Sequence, residues 1–167
     1  MLFSSIINYS PVKNSKLLML STLSFLMLLS CSEGDDEDHG FSSAELVGTW
    51  DLVEIRLSEG VDMDGNGTHS SNLLNEADCI SGAIVMREDT SYQFEQTSFK
   101  VILNANSEYD TDCYGTYLAT GAWASNGSEV AFQGSEVLGT LQLIGNRIIK
   151  SEDKELPGVE AYIYEKR

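Results

Sequence analysis

The chain has 167 residues, 42% of them hydrophobic, and its 26 acidic against 10 basic side chains give a formal charge of −16. A surface this acidic repels phosphate backbones and anionic lipid head groups, which excludes nucleic acid as a partner and leaves no basic patch to hold the chain on a membrane. Three cysteines and two histidines in no Cys/His spacing exclude a zinc site of the usual kind.

Residues 1–16 hold Lys13 and Lys16 and no acid, and residues 17–29 are nearly all Leu, Met, Phe, Ser and Thr. A positive segment followed by an apolar one is the layout of an export signal. The apolar run falls short of the roughly 20 residues a spanning helix requires. It closes on Leu28-Leu29-Ser30-Cys31, a leucine three before a cysteine with a small residue just ahead of it. This resembles the lipobox of bacterial lipoproteins, and the resemblance implies cleavage before Cys31 and acyl chains, palmitate among them, on the new N-terminus. Two or more chains anchor firmly, because each buried CH2 contributes about 0.8 kcal/mol.

Residues 31–43 then form an acidic tether, Ser32-Glu33-Gly34-Asp35-Asp36-Glu37-Asp38 at its centre. The acidic run resembles the tag by which some Gram-negative bacteria send lipoproteins to the outer face of the outer membrane. A solvated spacer explains the same charges, since dense like charge cannot be buried. Without residues 1–30 the chain keeps 137 residues, with 8 basic against 26 acidic side chains and a charge of −18. That length allows one domain, expected over residues 44–167, with a core of its own.

Within the domain, Ser42 and Glu45 are spaced to cap one helical turn. Gly48 to Arg56 reads as a first strand, with Trp50 and Leu52 on one face and Val53 and Ile55 on the other. Residues 58–78 are polar and turn-rich, with a short helix predicted over Asn72–Glu76. Strands are predicted over Ser81–Met86 and Ser91–Leu103, the second changing parity between Phe94 and Phe99 and so bulged or bent near Gln96–Ser98. Asn104–Cys113 reads as a loop and Tyr114–Ala124 as a long strand. Asn126-Gly127 suits a hairpin turn with positive φ at both central residues. Glu129–Gln133, Thr140–Ile144, Ile148–Ser151 and Val159–Lys166 complete the set, with Gly145-Asn146 and Pro157-Gly158 as turns.

About eight strands without long helices predict an all-β fold. An antiparallel up-and-down barrel leaves no open edges, and a two-sheet β-sandwich is the alternative. Gly48-Thr49-Trp50 at the head of the first strand resembles the Gly-x-Trp signature of lipocalins. With the lipobox, the loop Asp62-Met63-Asp64-Gly65-Asn66-Gly67-Thr68 and the later cysteine pair, the chain is similar to small lipocalin-like lipoproteins of Gram-negative bacteria. The resemblance implies that Trp50 packs at the closed end of the barrel. The family's arginine over that tryptophan has only Lys166 and Arg167 as counterparts here.

Cys79 and Cys113 remain once Cys31 carries lipid, an even pair in an exported chain. A disulfide is expected, two buried free thiols being the alternative. Asp62, Asp64 and Asn66 with Gly65-Asn66-Gly67 match the first half of a calcium loop, but Leu73 stands where the closing glutamate belongs. A polar turn-rich loop explains the same residues, so calcium and plain loop both stay open. No nucleophile elbow or phosphate-cradling loop is present, and a hydrolase using paired carboxylates is the remaining enzymatic alternative. The chain is therefore expected to be a non-enzymatic, lipid-anchored outer-membrane protein, at the cell surface if the acidic run acts as a tag. Bulky residues at alternating positions, Tyr92, Phe94, Tyr117, Trp123, Phe132, Leu141, Leu143 and Tyr162, are the candidate wall of a site for a small apolar or amphipathic ligand. The same residues can instead fill a packed barrel in a structural or accessory lipoprotein.

Overall fold

The computed structural model describes residues 42–103, 105, 108–152 and 158–167. The signal segment, Cys31, the tether up to residue 41 and Pro157 lie outside the described residues. Among the described residues no helix is long and apolar enough to cross a membrane.

A four-residue helix, α1 (Ser43–Leu46), precedes nine strands: β1 (Gly48–Val61), β2 (Ser70–Asn72), β3 (Gly82–Met86), β4 (Ser91–Leu103), β5 (Tyr109–Ser125), β6 (Glu129–Gln133), β7 (Thr140–Ile144), β8 (Arg147–Ser151) and β9 (Val159–Lys166). β1 and β3 to β9 pair in sequence order, and β1 pairs with β9 as well, so the sheet closes. All these pairings are antiparallel. The protein is thus a closed eight-stranded up-and-down barrel, not the sandwich, and the short β2 is an extra strand on the far half of β1.

Closure suits the sequence because alternating side chains then share one interior. Val130 and Phe132 of β6 and Leu141 and Leu143 of β7 are buried between exposed neighbours. They join Trp50, Ile55, Ile84, Phe94 and Ile148 in one core. Burying a side chain of this size contributes roughly 1.5 to 3 kcal/mol.

Several details depart from the sequence-based expectations. In β1 the register against β9 slips between Leu52 and Glu54, with Val53 as the extra residue. The bulge turns Ile55 and Leu57 inward beside Trp50 and Leu52, whereas simple alternation puts Ile55 on the other face. The expected irregularity of β4 falls between Ser98 and Phe99, where Tyr114 of β5 is the unpaired extra residue. β5 starts at Tyr109, so Cys113 lies in a strand and not in a loop. The acids Asp110 and Asp112 disguise the strand, yet both are exposed while Thr111 and Cys113 turn inward. The helix expected over Asn72–Glu76 is only a 3-10 turn at Leu73–Asn75, following β2.

The turn at Asn126-Gly127 also differs from the expected one. Only Gly127 has positive φ, at 91°. Asn126 serves instead as a cap, its Oδ1 accepting the Ser128 and Glu129 N–H groups at 3.0 and 2.8 Å.

Between the stretches of β1 paired with β3 and with β2, one side chain continues the ladder. Asn72 Oδ1 accepts the Ile55 N–H at 3.0 Å, and its Nδ2 donates to Val53 O at 3.1 Å. An amide side chain has the donor and acceptor of a peptide group, so it satisfies both backbone groups.

Candidate functional site

One end of the barrel is sealed. Leu46 of α1 and Trp50 are fully buried there, and the indole N–H donates to Leu46 O at 2.9 Å. α1 is held in turn by Glu45, which accepts the Ser42 N–H and hydroxyl at 2.8 Å each. Those two bonds hold the Glu45 carboxyl below its usual range, the backbone bond most. Lys166 lies opposite Trp50 in the ladder and donates to Glu45 O. Gly48 has φ of 140°, and a Cβ on it would come within 3.0 Å of Lys166 Cε. Glycine at the head of the Gly-x-Trp motif therefore gives room to the lysine stem. Arg167 does not cover the tryptophan but grips Asp51 with two bonds of 2.9 and 2.7 Å.

The other end carries the longer connections and a cavity of about 370 Å³. Gln96, Phe99 and Lys100 of β4, Tyr114 and Tyr117 of β5, and Lys150 and Tyr162 line it. Glu136 and Val137 of the β6–β7 connection and Glu152 complete the wall. Lys150 Nζ stands 4.8 Å from the Tyr162 ring centroid and pairs with Glu152 at 3.1 Å. Lys100 Nζ sits 4.8 Å above the Tyr114 ring. The Tyr117 hydroxyl lies beside that of Tyr114 and raises the Tyr114 pKa. Deeper in, Gln96 accepts the hydroxyl of Tyr164, whose own pKa is pushed far up, first by burial and then by Tyr162 and Glu152.

The geometry offers flat rings for an apolar body and two lysines, two glutamates and an amide for polar groups. Of the eight expected wall residues, Tyr117 and Tyr162 line this cavity. Tyr92, Phe94, Trp123, Phe132, Leu141 and Leu143 lie in the packed core below, none more than 6% exposed. Tyr92 and Phe132 meet edge to face at 5.0 Å. Sequence inspection missed Gln96, Phe99, Lys150 and Glu152 as wall residues. Lys150 shares the parity of the buried Ile148, which marks it as inward-facing.

The cavity lies where β5 and β6 separate. β5 pairs with β6 only from Ala122 to Ser125. At Gly121 the chains nearly touch, since a Cβ there would stand 1.9 Å from Gln133 O, and beyond it they part.

A second cluster lies outside the barrel. Asp62, Asp64 and Glu76 bring carboxylate oxygens within 4.8 Å of one another. Glu76 is only 7% exposed and accepts the Met63 N–H at 2.9 Å. Asp62 Oδ2 accepts the Gly67 N–H at 2.9 Å, while its Oδ1 is buried with no hydrogen-bond partner. Asn66 braces the loop, accepting from Thr68 N at 2.7 Å and donating to Asp64 Oδ2 at 2.7 Å. The sequence pattern names Asp62, Asp64 and Asn66 but passes over Glu76, which the 3-10 turn carries back to the loop. Hard oxygen donors of this kind fit calcium.

The expected disulfide is present, joining Cys79 to Cys113 across 34 residues with Cα atoms 6.4 Å apart. It ties the segment before β3 to the projecting half of the β4–β5 hairpin. No family model, no curated protein and no solved structure matches this chain.

Proposed function

We propose that this chain is an exported bacterial lipoprotein, anchored through Cys31 at the outer membrane and exposed at the cell surface, whose lipocalin-like barrel binds a small amphipathic molecule without catalysing a reaction. The observation that carries the reading is the cavity of about 370 Å³, walled by Phe99, Tyr114, Tyr117 and Tyr162 beside Lys100, Lys150 and Gln96. Its volume falls at the small end of the range of ligand pockets, and rings beside a few convergent polar groups are what such pockets use to orient a ligand. Calcium held by Asp62, Asp64 and Glu76 is part of the proposal, supported by the unpartnered Asp62 Oδ1.

The packed lower barrel favours one competing reading, a structural or accessory surface lipoprotein with no ligand. Native mass measurement on protein purified from its own host separates the two. Retained mass beyond the acylated chain, lost in Tyr117→Ala and Lys150→Met, supports the binding reading. A bare mass, with no saturable binding of an amphipathic fluorescent probe, leaves the structural one. For the anchor, Cys31→Ser moves the protein from membrane to soluble fractions, and continued sedimentation with membranes overturns the lipobox.

A further inference from the structure

The 17-residue strand β5 is paired with β4 from Tyr109 to Ala122 but with β6 only from Ala122 to Ser125. Among the described residues nothing pairs with Tyr109 to Ala119 on the β6 side, where Leu118 is 70% and Tyr114 54% exposed, while at Thr120 and Gly121 the backbone of Gly134 and Gln133 lies against the strand. The Trp123 N–H donates to Thr90 O, on the β4 side, at 2.8 Å. Backbone direction alternates along a strand, so Thr116, Leu118 and Thr120 turn their N–H and C=O groups away from β4.

Exposed edges are ordinarily guarded by charged side chains, prolines, bulges or brevity. The bulge at Tyr114 guards only the outer part. From Gly115 to Gly121 the run Gly-Thr-Tyr-Leu-Ala-Thr-Gly has no charge and no proline, and its threonines, tyrosine and leucine favour extended backbone. Around it stand Glu95, opposite Leu118 in the ladder, Asp110 and Asp112 further along β5, and Glu136 across the gap, against Lys100.

We propose that the free edge of β5, centred on Thr116 and Leu118, is a docking site for an extended, basic segment of another protein, which adds to the barrel as a further strand. Main-chain hydrogen bonds supply the pairing, as in other strand-addition complexes, and alternate side chains supply the choice of partner. Leu118 offers an apolar contact to one face of the added strand. The surrounding carboxylates select lysine or arginine and disfavour acidic segments, the common kind of association between copies of a chain with formal charge −16 included. This inference does not rest on the cavity holding a ligand, because the pairing groups are the backbone of Thr116 and Leu118 and the Leu118 side chain, none of them in the cavity wall, and of the selecting carboxylates only Glu136 borders it.

The test uses the folded domain and an acetylated eight-residue peptide of alternating lysine and valine. Titration followed by nuclear magnetic resonance is expected to give saturable shifts at the amides of Thr116 and Leu118, with hydrogen exchange there slowed about tenfold. The same peptide N-methylated throughout keeps its charges and loses its donors, and is expected to bind at least about tenfold more weakly. A glutamate-for-lysine peptide weakens by a similar factor. Equal binding of the N-methylated peptide, or shifts confined to Lys150 and Tyr162, overturns the proposal and leaves the cavity reading untouched. Self-association of the protein alone that protects the same two amides also overturns it, because the occupant is then a second copy.

Discussion

Truncating Phe94 and truncating Tyr117 should have opposite consequences. Phe94 is fully buried and lies between Ile84 of β3 and Ala119 of β5. Phe94→Ala removes a ring's worth of contacts and leaves a void, at a cost of about 3 to 5 kcal/mol. Against a total stability of roughly 5 to 15 kcal/mol this is a large fraction, and it lowers Tm by on the order of 10 to 20 °C. Tyr117 is 44% exposed and already borders a cavity, so Tyr117→Ala forfeits about 1 kcal/mol or less but changes the affinity for an amphipathic fluorescent probe. Urea unfolding of both variants beside the parent, with probe titration on the same samples, measures both quantities. Comparable losses from the two, or a loss below about 1 kcal/mol for Phe94→Ala, would refute the division into packed core and open cavity.

Replacing Cys79 and Cys113 by serine together should lower stability by about 3 to 4 kcal/mol, the chain-entropy value for a loop of 34 residues; thiol labelling of both cysteines in denatured, unreduced protein would show that the bond does not form. Millimolar calcium should raise Tm through Asp62, Asp64 and Glu76, by up to roughly 2.7 kcal/mol of stability at a hundredfold excess over Kd. Glu76→Gln should abolish that shift, and an unresponsive parent ends the calcium assignment. Tyr164 makes the barrel alkali-sensitive: an unfolded tyrosine loses its proton near pH 10, the folded one keeps it because burial raises its pKa, so stability is intact below about pH 10 and falls as pH rises further. Tyrosinate absorbance should therefore show this phenol titrating together with unfolding, and an alkaline transition of equal steepness in Tyr164→Phe would count against that cause.

The strands of the barrel were legible because their residues alternate, and Val130, Phe132, Leu141 and Leu143 needed no further information to be placed inside. The bulges were only half legible. A parity change betrayed the one at Ser98 and Phe99, whereas Val53 in β1 is as apolar as its neighbours, and nothing in Leu52-Val53-Glu54-Ile55 marks it as the residue squeezed outward. Asp110 and Asp112 make the stretch up to Cys113 read as a loop, although carboxylates are at home on the outer face of a projecting hairpin. Bulky side chains alone do not reveal a cavity. Phe94 and Tyr162 read alike in sequence, and what separates them is depth: the barrel fills with rings up to Gln96 and Tyr164 and leaves space above them. Glu76 fits no position of a twelve-residue calcium loop, which hides it in the sequence, yet a single 3-10 turn brings it to the two aspartates.

The seam between β1 and β9 carries a kinetic consequence. It joins parts of the chain 116 residues apart, as between Asp51 and Arg167, whereas β4 to β9 are linked one to the next by hairpins or short connections. Hydrogen bonds from Ser58 N to Gly158 O and from Arg167 N to Thr49 O pin it near its two ends. Contacts of long sequence separation form after local ones, because loop-closure entropy must be met before they gain anything. The seam is therefore expected to be the last part of the barrel to zip and the first to open. Weakening it, as in Asp51→Ala, speeds unfolding and leaves the folding rate nearly unchanged, so the lifetime of the folded barrel is set where its two ends meet.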